Sequence, residues 1–534
     1  MQLTGDGTAF EDLRVRATAI ASAWAAAAAA FTTVGQERAI LRLFGVGGLD
    51  RAGRPLAAEV VDRYLAPDPR RLGGGIALPF AMAMAEYDLR PQELALEIAA
   101  GNVDLGLEAE LLGESDRRAV AVANATAMAR SALERVDANR TARRELLDLL
   151  GDPRRPWIGM ALASPAIVDA LDEARRAIDE GVELIRVDVP PSRELAELLG
   201  RVGQAVEGWH ATQSSRGGLD QHDPHGVPIP TGAQRSLSVL RRYVDEASAR
   251  RRGYVRLLTD AQPLAAPDQA VVAVFERIDV VVADPIREII TGRVDPDRAL
   301  ADHVFAHRLL CRGGTRVLVP AGPLLVAPDL ARGMPSDPAT RAGRALAMQL
   351  LAVALACHDG LPAGSVVVGA FPDWIVDEPG APARAAAEVA LRRALMPDHP
   401  IAFIEPEPAG PGSAPATWHA LVAALLPDAG DVEVVLRRAV ASPAESVAAT
   451  RAAAVVAMGL RQGRSAPVLT GAAAEHADRA VAAAAATLAA LDEAGWRAIV
   501  DQPLAMGARG LGAEAVAERT EAFDPLAVEV GAPA

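Results

Sequence analysis

Between residues 157 and 437 the chain repeats one rhythm, a short run of β-branched and apolar residues followed by an amphipathic helical stretch. The runs are WIGMALA, VELIRVDV, YVRLLTD, IDVVVAD, TRVLVPAG, SVVVGAF, IAFIEPE and VEVVLRR, starting near residues 157, 182, 254, 278, 315, 365, 401 and 432. Eight strands alternating with helices over roughly 280 residues match a (β/α)8 barrel, which takes about 250. An open doubly wound sheet would alternate similarly but would carry a Gly-rich turn after its first strand, and WIGMALASP has none. The expected fold class is therefore α/β, a TIM barrel spanning 151–442. Residues 1–150 read as an N-terminal helical region without a convincing strand, in QERAILRLFG, RPLAAEVVDRYLAP and RPQELALEIAAG. Residues 443–534 read as a C-terminal helical extension, with EHADRAVAAAAATLAALDEAG ahead of a loose tail or docking arm.

Side-chain alternation then nominates residues for the barrel mouth. In VELIRVDV, an outward set of Ile185, Val187 and Val189 turns Leu184, Arg186 and Asp188 inward. In YVRLLTD, outward Val255 and Leu257 leave Arg256 and Asp260 inside. Asp284, Asp373 and Glu405 lie at or just after strand ends. Arginines and carboxylates converging on one mouth suit a substrate that carries both an amine and an anionic group.

Composition narrows the function. Net charge is −15 and basic residues are dispersed, which argues against nucleic acid and against a membrane surface. The two cysteines, Cys311 and Cys357, sit in apolar helical patterns and read as buried thiols of a cytoplasmic protein. The run ATAIASAWAAAAAAF follows Asp6, Glu11 and Asp12 and reads as a helix, with no export implied. The sequence contains no lysine, so the chain offers no side chain for the Schiff base that normally anchors pyridoxal phosphate.

The long connection 203–234 carries His210, His222 and His225 with Asp220 and Asp223, a set whose irregular spacing argues against a metal site. Its DQHDPHGVPIP segment does not complete the DxHxxG pattern of base-off cobalamin binding: three residues after His222 is His225, and three after His225 is Pro228. No phosphate-binding glycine loop, nucleophile elbow or zinc-protease motif occurs.

The segments TTVGQERAILRLFGVGGLD, RPQELALEIAAGNVDL, NRTARRE and YVRLL with FERIDVVVAD resemble the alpha (large) subunit of lysine 5,6-aminomutase, a family related to the ornithine 4,5-aminomutase large subunits. The resemblance implies a 1,2-aminomutase, an isomerase that moves an amino group to the adjacent carbon by a radical route with adenosylcobalamin and pyridoxal phosphate. It also implies a hetero-oligomer, in which a beta subunit brings the cobalamin-binding domain and the Schiff-base lysine to an amino-acid substrate.

On this resemblance Arg186 and Ser192 fall in the region that binds the cofactor's phosphate or the substrate carboxylate. Arg256, Arg277, Asp279 and Asp284 also match, with Arg277 and Asp279 reading as structural. Asp260 stands where the family has an aromatic beside the pyridoxal ring, and is placed with Arg186 and Ser192 as cofactor-facing. Asp188, Arg256, Asp284, Asp373 and Glu405 are the substrate-facing set. DPHGVPIPTGAQ and EPEPAGPG depart from the family, and Arg293 stands where an amine-binding aspartate would align. These departures keep open a degenerate paralogue serving as an assembly or regulatory partner, or a barrel repurposed for other chemistry.

Overall fold

The computed structural model describes residues 7–48, 50, 55–162, 167–187, 232–260, 264–291, 294–320, 337–370, 381–404, 432–437, 444, 447–448, 451–452, 471–498, 516–520 and 522–529. The chain opens with helices α1 (Gly7–Ala28), α2 (Val34–Leu43), α3 (Leu56–Leu65), α4 (Ala77–Tyr87), α5 (Pro91–Ala100), α6 (Leu105–Leu111) and α7 (Ser115–Leu150). Local chemistry sets their ends. The Thr33 hydroxyl accepts the Gln36 N–H at the start of α2, Pro91 occupies the first turn of α5, and Gly101 closes α5 at φ 84°. The alanine-rich run reads correctly as helix, in α1. In α7 the buried Ala121, Ala125 and Ala129 recur every fourth residue, so one face is smooth enough for α4 to pack closely against it.

The barrel is closed. Its strands are β2 (Trp157–Ala161), β3 (Leu184–Val187), β4 (Arg256–Asp260), β5 (Val280–Val282), β6 (Arg316–Val319), β7 (Val366–Ala370), β8 (Ile401–Ile404) and β9 (Val432–Arg437), all parallel, with β9 pairing back onto β2. All eight expected strands are present. Between and after them lie α8 (Ile167–Glu180), α9 (Gly232–Arg251), α10 (Ala266–Phe275), α11 (Pro285–Thr291), α12 (Pro296–Gly313), α13 (Pro338–His358), α14 (Ala381–Leu395) and α15 (Ala472–Ala494). The strands are valine-rich because they are covered on both faces, by the lumen and by the helices. Trp157, Leu184, Leu258, Val280, Val282, Leu318, Val367, Ala402, Val434 and Leu436 form a separate lumen cluster. At Gly159 a Cβ would lie 2.9 Å from Leu436 and 3.1 Å from Leu184, so a side chain there would have to displace lumen packing.

The N-terminal helices are fastened to the barrel by polar groups. The Asn139 amide donates to the carbonyls of Val274 (3.1 Å) and Phe275 (2.9 Å) at the end of α10. Arg143 donates to the Ile278 carbonyl at 3.1 Å and to that of Gly313 at the end of α12. Helix ends leave carbonyls without intrahelical partners, and these side chains satisfy them. The NRTARRE stretch therefore acts as a joint.

Two expectations are corrected. The first 150 residues do contain a strand, β1 (Phe31–Thr33), which pairs antiparallel with β10 (Val516–Glu518) from the far end of the chain. Three residues are too few for a periodic signal, and the pairing exists only because distant segments meet. The tail is thus a docking arm where it is described: Arg519 donates to the Phe31 carbonyl at 2.8 Å and to Gln36 at 2.6 Å. The cysteines are free and half-buried, not buried. Among the described residues no helix is long and apolar enough to cross a membrane.

Candidate active site

Lumen-facing polar residues collect at two heights. At the C-terminal end of the strands, Asp260 closes β4, where Arg186 of β3 donates to its Oδ2 at 3.4 Å. Arg287, from α11, donates to the same carboxylate through Nη1 at 3.2 and 3.3 Å and through Nη2 at 3.4 Å. Asp260 is buried and Arg186 remains a quarter exposed, so the arginine pair borders the mouth with the carboxylate behind it. Two guanidiniums sharing one carboxylate are donors of the kind that grip phosphate or carboxylate ligands.

Arg256 is not part of this mouth, which corrects the expected convergence. It faces inward, but it is the first residue of β4 and sits on the barrel floor. Its guanidinium lies 3.5 Å from the centre of the Trp157 ring and donates to Asp152 at 2.7 Å. Arg316, first residue of β6, also approaches Trp157, at 5.9 Å, and Arg155 lies 5.4 Å from the ring. Burial, with Arg155 and Arg256 nearby, lowers the Arg316 pKa to about 10. The floor is a cation-and-indole plug.

Asp284 is at the expected end of its strand but serves the backbone. Its Oδ1 accepts the N–H groups of Ile286 (2.9 Å) and Arg287 (3.1 Å), fixing the first turn of α11 and hence the root of Arg287. The residue is buried, and burial pushes its pKa up to about 6 against those stabilising contacts. It does not present an open carboxylate to a substrate amine. Arg277 and Asp279 are structural, as expected. Arg277 pairs with Asp245, while Asp279 accepts from Tyr254 (2.8 Å), the Leu257 N–H (2.9 Å) and Arg241 (3.2 Å). Asp188, Ser192, Arg293, Asp373, Glu405 and the loop residues His210, Asp220, His222, Asp223 and His225 lie outside the described residues. Among the described residues no cluster of histidine, cysteine and carboxylates is arranged to hold a metal.

With a closed barrel and a paired arginine mouth in place, comparison with known proteins is decisive at the family level. The family model described as "D-Lysine 5,6-aminomutase TIM-barrel domain of alpha subunit" matches residues 3–412. The chain belongs to the lysine 5,6-aminomutase alpha-subunit family. Curated relatives named "Lysine 5,6-aminomutase alpha subunit" come from Fusobacterium nucleatum subsp. nucleatum and Acetoanaerobium sticklandii. The first is 26% identical over 294 residues, 55% of this chain and 51% of the relative. The second is 26% identical over 322 residues, 60% and 56%. The chain thus spans little more than half the length of the curated relatives it matches. Among solved structures, a dihydropteroate synthase of Burkholderia cenocepacia aligns at TM-score 0.35 with 17% identity, covering 58% of this chain and 94% of that one.

Within this aminomutase family member, sequence reasoning missed Arg287 and the buried residues behind it, Glu288, His303 and His307. A signal existed for each. Asp284-Pro285 is a helix-start pattern that places Arg287 in the first turn, and His303 and His307 are four apart on one face of α12. The residues present fit the anionic end of a phosphate-bearing cofactor at Arg186 and Arg287. They offer no amine for its covalent attachment, because the chain has no lysine.

Proposed function

We propose that the chain is the barrel subunit of an adenosylcobalamin- and pyridoxal phosphate-dependent amino-acid 1,2-aminomutase, active with a partner chain that carries the cobalamin-binding domain and the lysine this chain lacks. The observation that carries the reading is the convergence of Arg186 and Arg287 at the mouth of a barrel of this family. When bound, the two cofactors would supply the radical and the electron-accepting ring that amino migration needs. This chain's part is to bind and orient. Arg186 and Arg287 hold a phosphate or carboxylate, Asp260 keeps the two guanidiniums aimed at one point, and the lumen packing excludes water below them. Asp188, Asp373 and Glu405 remain the candidates for receiving a substrate amine, and Ser192 a further phosphate contact.

The test is reconstitution. The chain, its partner and both cofactors are incubated with isotopically labelled diamino acids, and products are followed by NMR. Transfer of nitrogen to the neighbouring carbon is the expected result. Failure of the assembled complex to bind pyridoxal phosphate, or to turn over any diamino acid, overturns the reading.

A second reading, a non-catalytic assembly or regulatory paralogue, is favoured by Asp260 itself. Its carboxylate already occupies the arginine pair, where an incoming anion would have to compete. An assembled complex that forms stoichiometrically yet binds no cofactor, with Asp260→Asn equally inert, would select this alternative.

A further inference from the structure

Behind the mouth, between α11, α12 and α13, lies a group of buried polar side chains that the proposed reaction does not use. Asp284 presents Oδ2 there, Glu288 both carboxyl oxygens, His303 its Nε2 and His307 its Nε2, and among the described residues none of these five atoms has a well-formed hydrogen-bond partner, the Leu264 N–H coming nearest to Glu288. All four residues are almost fully buried. Each histidine's other nitrogen fixes its tautomer. His303 Nδ1 lies 2.9 Å from the Ala299 carbonyl oxygen, which can only accept, so Nδ1 carries the hydrogen and the Nε2 of the neutral ring is an acceptor. His307 Nδ1 lies 2.8 Å from Asp359 Oδ2 and is likewise the donor, leaving its neutral ring an acceptor at Nε2. With both carboxyls ionised, all five of these atoms would be acceptors, with the Leu264 N–H and the Arg298 guanidinium near Glu288 as the donors on hand, an arrangement disfavoured away from bulk solvent.

We propose that this space is a built water site carrying one stored proton: Glu288 is a carboxylic acid whose hydrogen points to His303 Nε2, and at least one ordered water donates to Asp284 Oδ2 and His307 Nε2. Glu288 Oε1 and His303 Nε2 are already 3.8 Å apart, a small side-chain rotation from a hydrogen bond. The surrounding charges agree. Burial raises the Glu288 pKa well above its ordinary value, and the nearby Asp302 raises it further, while the Leu264 N–H, Arg287 and Arg298 oppose the rise. Asp302 is itself engaged by Arg298 and Thr33, with Arg38 nearby. Burial lowers the His303 pKa to about 3, so that ring stays neutral. A buried water typically makes about three such bonds. The site matters because Asp284 belongs to both worlds, with Oδ2 turned to this pocket and Oδ1 holding the turn from which Arg287 reaches Asp260. Asp284 is a positioning residue, and the water keeps its second oxygen satisfied while it stays charged.

The inference is independent of the proposed reaction and is tested on the full chain alone. An acid raised by burial loses stability as pH rises past its ordinary value, and an amide in its place does not. Glu288→Gln is therefore expected to melt above wild type by about 2 °C or more at neutral pH, with the gap closing as pH falls toward about 5. Infrared spectra of the wild-type chain, which need no folded variant, should show a protonated-carboxyl band that Glu288→Gln removes. A high-resolution crystal structure should place a water within about 3.2 Å of Asp284 Oδ2 and His307 Nε2. A pH-independent gap, a variant that melts lower at neutral pH, an ionised Glu288 in the spectrum, or a dry pocket would each overturn the proposal.

Discussion

The two ends of the barrel lumen use the same residue types for opposite purposes. At the floor, the Arg256 guanidinium sits 3.5 Å from the Trp157 ring centre and is tied to Asp152, so its charge is absorbed by an aromatic face and a carboxylate. At the mouth, Arg186 and Arg287 reach one carboxylate and retain some exposure. The contrast teaches that an inward arginine is a binding group only at the end of the strand where loops leave room for a ligand. At the other end it is packing.

Breaking the floor should give the largest effect. Trp157→Ala removes a fully buried ring and the surface on which Arg256 rests, and should lower unfolding free energy in denaturant titration by about 3–5 kcal/mol while leaving the mouth's anion binding intact in the folded fraction. The next effect lies just under the mouth and appears as pH dependence. The folded-state pKa of Asp284 is raised from 3.8 to about 6, so its contribution to stability is lost as pH rises through that window. Asp284→Asn should flatten the profile by about 2–3 kcal/mol, read by denaturant titration at a series of pH values.

Effects on binding come third and fourth. Arg287→Ala removes charge-assisted donors and should weaken pyridoxal phosphate binding by the assembled complex about 10- to 100-fold in a fluorescence titration, with melting also lowered because the buried Asp260 carboxylate loses a partner. The same change made at the floor, Arg256→Ala, should not alter that affinity, and equal losses would erase the distinction between the two ends. Asp260→Asn should act in the opposite direction, tightening binding of the phosphate group about tenfold because the competing carboxylate is gone. Weaker binding in that variant would mean that Asp260 aims the arginines more than it blocks them.

The fold was largely legible because β-branched runs buried on both faces stand out against alanine-rich helices, and every barrel strand begins within a few residues of its expected start. The lumen face was legible too: Leu184 and Leu258 do point inward, carrying Arg186, Arg256 and Asp260 with them. Height was not. Alternation with a period of two assigns a face to Arg256 and Asp260 alike, yet four residues of strand separate them by roughly 13 Å, nearly the depth of the lumen. Asp284 was found but misread, because a strand-end aspartate followed by proline is as suited to holding a helix start as to meeting a ligand. His303 and His307 escaped notice because a histidine among apolar helix residues carries no sign of what its second nitrogen faces.

The small β1–β10 ribbon has a consequence for how the molecule is made. Phe31, Gln36 and the buried Glu37 near the beginning of the chain depend on Arg519 for a carbonyl partner, an amide partner and a favourable charge. During translation those groups emerge from the ribosome long before residue 519 is added. The first helices must therefore wait, partly unsealed, until Arg519 and its strand have been made.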